Sequence, residues 1–348
     1  MRVNIKGLLI TYTCLVAVTM TLGACNDVKQ SRVNKSINYV TINNLENEFR
    51  EFLKQSSGKD FETKVTLWGE IVEAPHQVFY DEVIWNKEDE GFSEEERLED
   101  LEKLFLKYDS HSQDILDFYP DLLDSLTHGS EVFQKRFPDF SIPVQAYLAP
   151  GVSWGGSVVP ADNGINYLPL GVDLYEMRKM SATNKAPRSL VPHELFHAYN
   201  RQKSQSVLSQ TDWLEDGRLF WQLWGEGLAM YGAHEVLPEL TLQQVMLHPE
   251  YLEFTISPEE LTLLSRKFLD EFSNPAIDLE NPINYKKWFG VDSSAVKDGL
   301  PPAIGYYLGY LVVEHLIKEK NLTIEELSMW SMDDAEVPIK KALESFSE

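Results

Sequence analysis

The spacing of apolar residues along the chain predicts helices, then a few strands, then helices again. Residues 45–53 and 93–126 have apolar positions three or four apart, which is the period of an amphipathic helix. From residue 137 the pattern changes, and apolar residues alternate with others as they do in strands. From Leu190 onward nearly every segment again has helical spacing. This order predicts an α+β fold with a small sheet in the middle of the chain.

The first helical part has one clear start signal. Ser93 and Glu96 have the spacing of a capping box, in which each side chain caps a backbone N–H of the other residue. The apolar stripe after Ser93 predicts one helix. A second stripe from Ile115 to Leu126 predicts another helix, bent or broken at Pro120 because proline lacks the N–H that a helix interior uses. Residues 61–85 are mixed and predict no single element.

The predicted strands surround a glycine-rich turn. Every second residue from Ile142 to Leu148 is apolar, and residues 157–159 and 165–174 are also strand-like. The turn contains Gly151-Val-Ser153-Trp-Gly155, which matches the nucleophile elbow of serine hydrolases. That motif requires a helix directly after it. The residues that follow are β-branched, proline and glycine, so we expect no helix there and interpret Ser153 as a turn residue.

The second helical part contains His193-Glu194-Leu-Phe-His197. Residues i and i+4 share one face of a helix, so both imidazoles would point to one place, as a tetrahedral zinc site requires of two ligands. Glu194 would then reach a water molecule at the metal and act as general base. The three fixed letters arise by chance in about one chain in a hundred. The alternative is an inert set of hydrogen-bonded core residues. A suitable third ligand elsewhere in the chain would favour the zinc site over this alternative.

Glu226 is the candidate third ligand. It is the one ionisable residue in an apolar helical run from Leu219 to Tyr231. A buried carboxylate is unfavourable unless it is paired or bound to metal, and the alternative partner is an arginine. The two glycines that flank it each lower helix propensity by about 1 kcal/mol, which close approach to another backbone, such as the His-Glu helix, would explain. His234 and Glu235 are weaker candidates, since they fall at the end of the run among polar residues.

Cysteine usage restricts the chemistry further. The chain has 348 residues and two cysteines, Cys14 and Cys25. Residues 1–24 have a basic start and an apolar run too short for a comfortable membrane span, which is typical of a signal peptide. Leu22-Gly-Ala-Cys25 resembles the lipobox of bacterial lipoproteins, which implies cleavage before Cys25 and a lipid on its thiol; an ordinary secretory signal is the alternative. No cysteine then remains for a disulfide or a thiolate ligand, so metal ligands must be His, Asp or Glu.

The charge of the chain bears on its partners. The formal net charge is −24, and loss of residues 1–24 would make it more negative because Arg2 and Lys6 would be removed. Such a surface repels nucleic acid and anionic lipid headgroups, so we expect no nucleic-acid partner and membrane attachment through acyl chains alone. We predict four parts: the signal peptide (1–24), a polar tether from lipidated Cys25 (25–43), a mostly helical region (44–136) and a catalytic domain (137–348).

The two motifs together resemble a known class of enzymes. His193-Glu-Leu-Phe-His197 followed by Trp224-Gly-Glu226-Gly-Leu-Ala-Met-Tyr231 is similar to the gluzincins, the thermolysin-like and aminopeptidase-like zinc peptidases. It is closer still to bacterial families described as predicted zinc-dependent proteases, and Gly305-Tyr-Tyr-Leu-Gly309-Tyr310 also resembles these groups. The likeness covers about residues 137–330. It implies a zincin-like domain that hydrolyses peptide bonds, with zinc bound by His193, His197 and Glu226 and with Glu194 as base and proton shuttle.

The sequence departs from this pattern in one place and leaves another open. Met230 stands where thermolysin has an aspartate four residues past the glutamate ligand, so the residue that orients the ligands is unidentified. Tyr306 resembles the tyrosine whose phenol hydrogen-bonds the tetrahedral intermediate in aminopeptidase-like members. Tyr307, Tyr231 and His234 are alternatives for that role. The resemblance also implies that residues 157–159 form an edge strand that aligns an extended peptide.

Three functional hypotheses follow. The preferred one is an extracytoplasmic, lipid-anchored zinc metallopeptidase of the bacterial cell envelope, with a peptide or protein as its substrate. The second is a non-catalytic envelope lipoprotein on a zincin scaffold. The third, less favoured, is a serine hydrolase that uses Ser153.

Overall fold

The computed structural model describes residues 35–348, except for 88–90, 153–155, 162–163, 178–187, 205–217, 247–255, 273–286 and 291–302. The predicted signal peptide, Cys25 and the first part of the predicted tether lie outside the described residues. Within the described part of the chain, no helix combines the length and the apolar character needed to cross a membrane.

Helices make up most of the described chain. They are α1 (Glu46–Ser56), α2 (Phe61–Trp68), α3 (Glu94–Arg136), α4 (Leu190–Ser204), α5 (Leu219–Val236), α6 (Leu242–Val245), α7 (Pro258–Glu271), α8 (Ile304–Lys320), α9 (Ile324–Leu327) and α10 (Met332–Phe346). Between α2 and α3 the chain forms wide π-helical turns at Gly69–Glu73 and Phe79–Ile84, which explains why residues 61–85 have no single period.

The strands form one mixed five-stranded sheet in the order β1-β2-β3-β5-β4. The strands are β1 (Lys35–Ile37), β2 (Val40–Asn44), β3 (Val144–Ala149), β4 (Val159–Pro160) and β5 (Asn166–Gly171). The central pairs β2–β3 and β3–β5 are parallel, and the outer pairs are antiparallel. The predicted α+β class and the predicted strand after residue 142 are therefore confirmed.

The predicted polar tether is wrong for its last residues. Residues 25–43 were expected to be a linker because most of them are polar, but β1 and β2 occupy 35–44. Val40 and Ile42 are buried and pair with Val144 and Ala146 of β3, more than a hundred residues later. Two inward apolar residues are enough for a strand that has a partner on each side. Val33–Glu348 form one compact unit, which includes both the predicted helical region and the predicted catalytic domain.

A break at Pro120, the alternative to a bend there, does not occur, and one helix replaces the two that were predicted. The backbone of α3 is helical from Glu94 to Arg136, and the Ser93 side chain accepts a hydrogen bond from Glu96 N as the capping signal predicts. An interior proline costs about 3 kcal/mol of helix propensity. Burial of a large apolar side chain returns about 1.5–3 kcal/mol, and Phe118 and Tyr119, the two residues before Pro120, are fully buried. Tertiary packing therefore outweighs the local penalty.

Close packing around α5 explains its glycines. A Cβ on Gly227 would overlap the backbone of Gly309 on α8, so these two helices meet backbone to backbone. The close approach predicted from the sequence is real, but its partner is α8 rather than the His-Glu helix α4. The glycine of α5 that allows contact with α4 is Gly232, where a Cβ would overlap the ring of Phe196. Since α4 and α5 are thereby in direct contact, their polar side chains can share one site.

Candidate metal centre

Helices α4 and α5 position the predicted ligands. His193, Glu194 and His197 lie on α4, and Glu226 lies on α5. Helix α4 is buried on several sides: Leu195 and Ala198 are fully inaccessible, and Gly129 of α3 packs directly against Val191. A helix held in this way fixes the direction of its imidazoles.

The three predicted ligand atoms converge. His193 Nε2 and His197 Nε2 lie 3.1 Å apart, and Glu226 Oε2 lies 3.2 Å from the first and 3.4 Å from the second. All three lie within 4.8 Å of one another, an arrangement that could hold a metal ion. The side chain of His197 is 18% exposed, whereas that of His193 is 3% exposed, so the more open side of the group is at His197.

The electrostatics of Glu226 favour its ionised form. Burial by itself raises the pKa of Glu226, but the adjacent His197 and His193 lower that pKa more, and the net result lies well below the ordinary value. Although Oε2 lies close to both imidazoles, it makes no hydrogen bond of acceptable geometry among the described residues. No arginine is paired with Glu226 in the described ion pairs, and the alternative partner considered for it is not found there. The carboxylate and the two rings are thus close neighbours without being hydrogen-bonded partners.

Gln222 orients the Glu226 carboxylate. Its Nε2 donates to Glu226 Oε1 over 2.9 Å, one helical turn earlier on α5. This leaves Oε2 to face the imidazoles. Sequence reasoning missed Gln222, although a polar residue four positions before the acid in an apolar helix is a usable signal. His193 Nδ1 has no acceptor among the described residues, whereas a metal-bound histidine usually donates its second N–H to one.

We expect Gln222→Ala to weaken metal binding by about 10- to 100-fold, because groups that orient a ligand have effects of that size. Isothermal titration of the metal-free protein with Zn²⁺ measures this. A matched control is Gln113→Ala, since Gln113 makes the same one-turn contact with a carboxylate, Asp117, at an exposed site. Equal affinity in the two variants would contradict the assigned role of Gln222.

Glu194 lies beside the three candidate ligands His193, His197 and Glu226, which we call the ligand group. A backbone segment covers Glu194. Burial raises the pKa of Glu194 to about 7, with His193 acting in the opposite direction. Gly156, at φ +72°, packs so closely that a Cβ there would lie 2.6 Å from Glu194 Oε1. Arg201, further along α4, donates from Nη2 to Val158 O over 3.1 Å. Neither Gly156 nor Arg201 was identified from the sequence, because the contacts join residues about 40 positions apart.

The candidates for stabilising a transition state are separated by their contacts. The ring centroid of Tyr306 lies 6.2 Å from that of His193, so Tyr306 is next to the ligand group. His234 instead contacts Tyr310 OH through Nδ1 and Leu240 O through Nε2. Tyr231 packs on the Tyr310 ring at a centroid distance of 5.4 Å. Glu235, the other weak ligand candidate, is paired with Arg136. The remaining candidate is Tyr307, and burial raises the pKa of its hydroxyl.

The elbow motif lacks the following helix that it needs. Ser153 and Gly155 lie outside the described residues. Residues 156–158 are irregular, and they lead into strand β4 rather than into a helix. This agrees with the expectation that no helix follows the motif.

Comparison of the chain with protein-family models, curated proteins and solved structures found no match. The arrangement of the site residues therefore has to carry the functional argument.

Proposed function

We propose that the protein is a zinc-dependent peptidase in which His193, His197 and Glu226 bind zinc and Glu194 is the general base. The observation that carries the proposal is the convergence of three ligand atoms from two helices, with a buried carboxylate beside them. If the His-Glu motif had arisen by chance on a core helix, a carboxylate from another helix would have no reason to lie next to both imidazoles.

The donor set and its spacing support zinc. Two imidazoles and one carboxylate are used by catalytic zinc sites, which keep the fourth position open. Ligand atoms about 2.0–2.2 Å from a tetrahedral ion are about 3.3–3.6 Å apart. The separations of 3.1, 3.2 and 3.4 Å are close to these values. The low pKa of Glu226 means that the carboxylate is ionised at neutral pH, as a ligand must be.

The residues of the chain would divide the reaction between them. Bound zinc supplies Lewis acidity, which makes water nucleophilic at neutral pH and polarises the peptide carbonyl. Glu194 takes the proton of the attacking water on its carboxylate and passes it to the nitrogen of the leaving amine. A pKa near 7 suits a group that must both accept and release a proton. We assign to the Tyr306 hydroxyl a hydrogen bond to the carbonyl oxygen as negative charge develops on it.

The wider proposal keeps the family resemblance and the cellular location. The segment from about residue 137 onward would be a zincin-like domain, with the β4 edge available to an extended peptide. Lipidated Cys25 would attach the protein to the bacterial cell envelope on its extracytoplasmic side. The acidic net charge of −24 argues against a nucleic-acid partner.

Metal removal tests the proposal directly. We expect the purified protein to contain about one zinc per chain by elemental analysis and to cleave members of a peptide library followed by mass spectrometry. Treatment with 1,10-phenanthroline should abolish cleavage and added Zn²⁺ should restore it, because the open coordination position is where the chemistry occurs. Cleavage that survives complete metal removal would contradict the proposal, and its loss in Ser153→Ala would then favour the serine hydrolase.

A further inference from the structure

The segment Gly156–Val158 forms a wall against the proposed catalytic base. A Cβ added to Gly156 would lie 2.6 Å from Glu194 Oε1 and 2.8 Å from both Glu194 Cγ and Leu190 Cδ1. Leu190 and Glu194 are one turn apart on the same face of α4. The glycine backbone therefore occupies the space into which the Glu194 side chain would otherwise turn.

Arg201 attaches this wall to the same helix. It follows Glu194 by seven residues, which is two helical turns, so both lie on one face of α4. Its Nη2 donates to Val158 O over 3.1 Å, and the Val158 side chain is buried. The next residue, Val159, begins β4 and pairs with Tyr167 of β5. Arg201 thus links α4 to the edge of the sheet through Val158, which lies two residues after the glycine that packs against Glu194.

We propose that Arg201 is a positioning residue that acts on Glu194 through Gly156. By holding Val158 O, it keeps the Gly156 backbone against the carboxylate and limits Glu194 to the orientation that faces the ligand group. The inference rests on the proposed peptidase function, since it assigns the Glu194 orientation a role in catalysis. A misplacement of about 1 Å can reduce the rate of a positioned reaction by about 10²-fold.

Two glycine variants test the wall itself. Gly156→Ala places a Cβ on the carboxylate, and we expect kcat to fall by about 10²-fold with KM and zinc content unchanged. Gly164→Ala is the matched control, because Gly164 has nearly the same positive φ of +76° but nothing within 4 Å of an added Cβ. Both variants have a similar backbone strain, so they differ in the contacts of the new Cβ with Glu194 and Leu190. Equal activity in the two variants would overturn the proposal.

Two arginine variants test the attachment. Arg201→Met removes the charge and the hydrogen bond to Val158 O while it keeps an unbranched apolar stem, and we expect kcat to fall with zinc content unchanged. Arg201→Lys keeps a charged donor, so we expect it to recover part of the lost kcat. A simply structural arginine would instead lower the melting temperature and leave the kcat of the folded fraction unchanged, which would overturn the assignment.

A readout that does not depend on activity separates this inference from the proposed function. Crystal structures of the zinc-loaded wild type, Gly156→Ala and Arg201→Lys should show a displaced Glu194 carboxylate in both variants, larger for Gly156→Ala. If the wild type binds zinc but cleaves nothing, the peptidase proposal fails while these structures still decide whether the wall orients Glu194. An unmoved carboxylate in both variants would overturn the positioning role.

Discussion

Replacement of Glu194 by glutamine is expected to lower kcat by about 10²- to 10⁴-fold, the usual contribution of general acid–base catalysis, while zinc content stays unchanged. Glutamine has the same shape but cannot take the proton of water. Glu194 lies beside the ligand group without belonging to it, so the metal should stay bound. The measurement pairs steady-state kinetics on a cleaved library peptide with elemental analysis of the same sample.

The control for this experiment is Glu239→Gln, an exposed glutamate just after α5. It changes the net charge equally and should leave kcat unaffected. If Glu194→Gln retains wild-type kcat, the base lies elsewhere and the assignment is wrong. If the wild type carries zinc but no peptide is cleaved in a Glu194-dependent way, the non-catalytic envelope lipoprotein becomes the better hypothesis.

Replacement of Glu226 by glutamine is expected to weaken zinc binding by more than 100-fold, since it removes the one anionic ligand and leaves two neutral imidazoles. Loss of a group that merely orients a ligand already costs about 10- to 100-fold. Zinc at 100 times its Kd raises the free energy of unfolding of the wild type by about 2.7 kcal/mol. At the same zinc concentration the variant should gain about 0.4 kcal/mol or less. Urea denaturation with and without Zn²⁺ measures both values.

The glutamine variant suits this test because it can still accept the hydrogen bond from Gln222, so the buried contact survives. Glu235→Gln is the control. Glu235 is the second glutamate of α5, lies near the end of that helix and is paired with Arg136. Its zinc stabilisation should equal that of the wild type. Equal stabilisation in Glu226→Gln would show that zinc binds at another site.

Several features of the fold could be predicted because they depend on neighbouring residues. The i, i+4 spacing of His193 and His197 brings their imidazoles together on any helix, so the sequence alone predicted that pair. The Ser93 cap of α3 is likewise a contact across three residues. Glu226 stood out because a carboxylate within an apolar helix needs a partner.

Errors arose where distant parts of the chain decide the outcome. Pro120 should interrupt a helix by its local chemistry, yet burial of its neighbours keeps α3 continuous. Strand β2 was predicted to be part of a linker because most of residues 25–43 are polar, and its strand partner β3 comes a hundred residues later. In both places packing against remote residues outweighs a local preference of a few kcal/mol.

By itself, the sequence determined which residues are candidates for the chemistry: a histidine pair and a glutamate on one helix, and a single carboxylate on another. Only the tertiary structure decided that Glu226 meets the imidazoles and that Gln222 bonds its other oxygen. It also decided that Gly156 packs against Glu194 and that Arg201 donates to Val158 O. The physical reason is range. Helical periodicity acts over four residues, whereas the approach of α5 to α4 is set by close packing at glycines such as Gly232, whose partners no local pattern identifies.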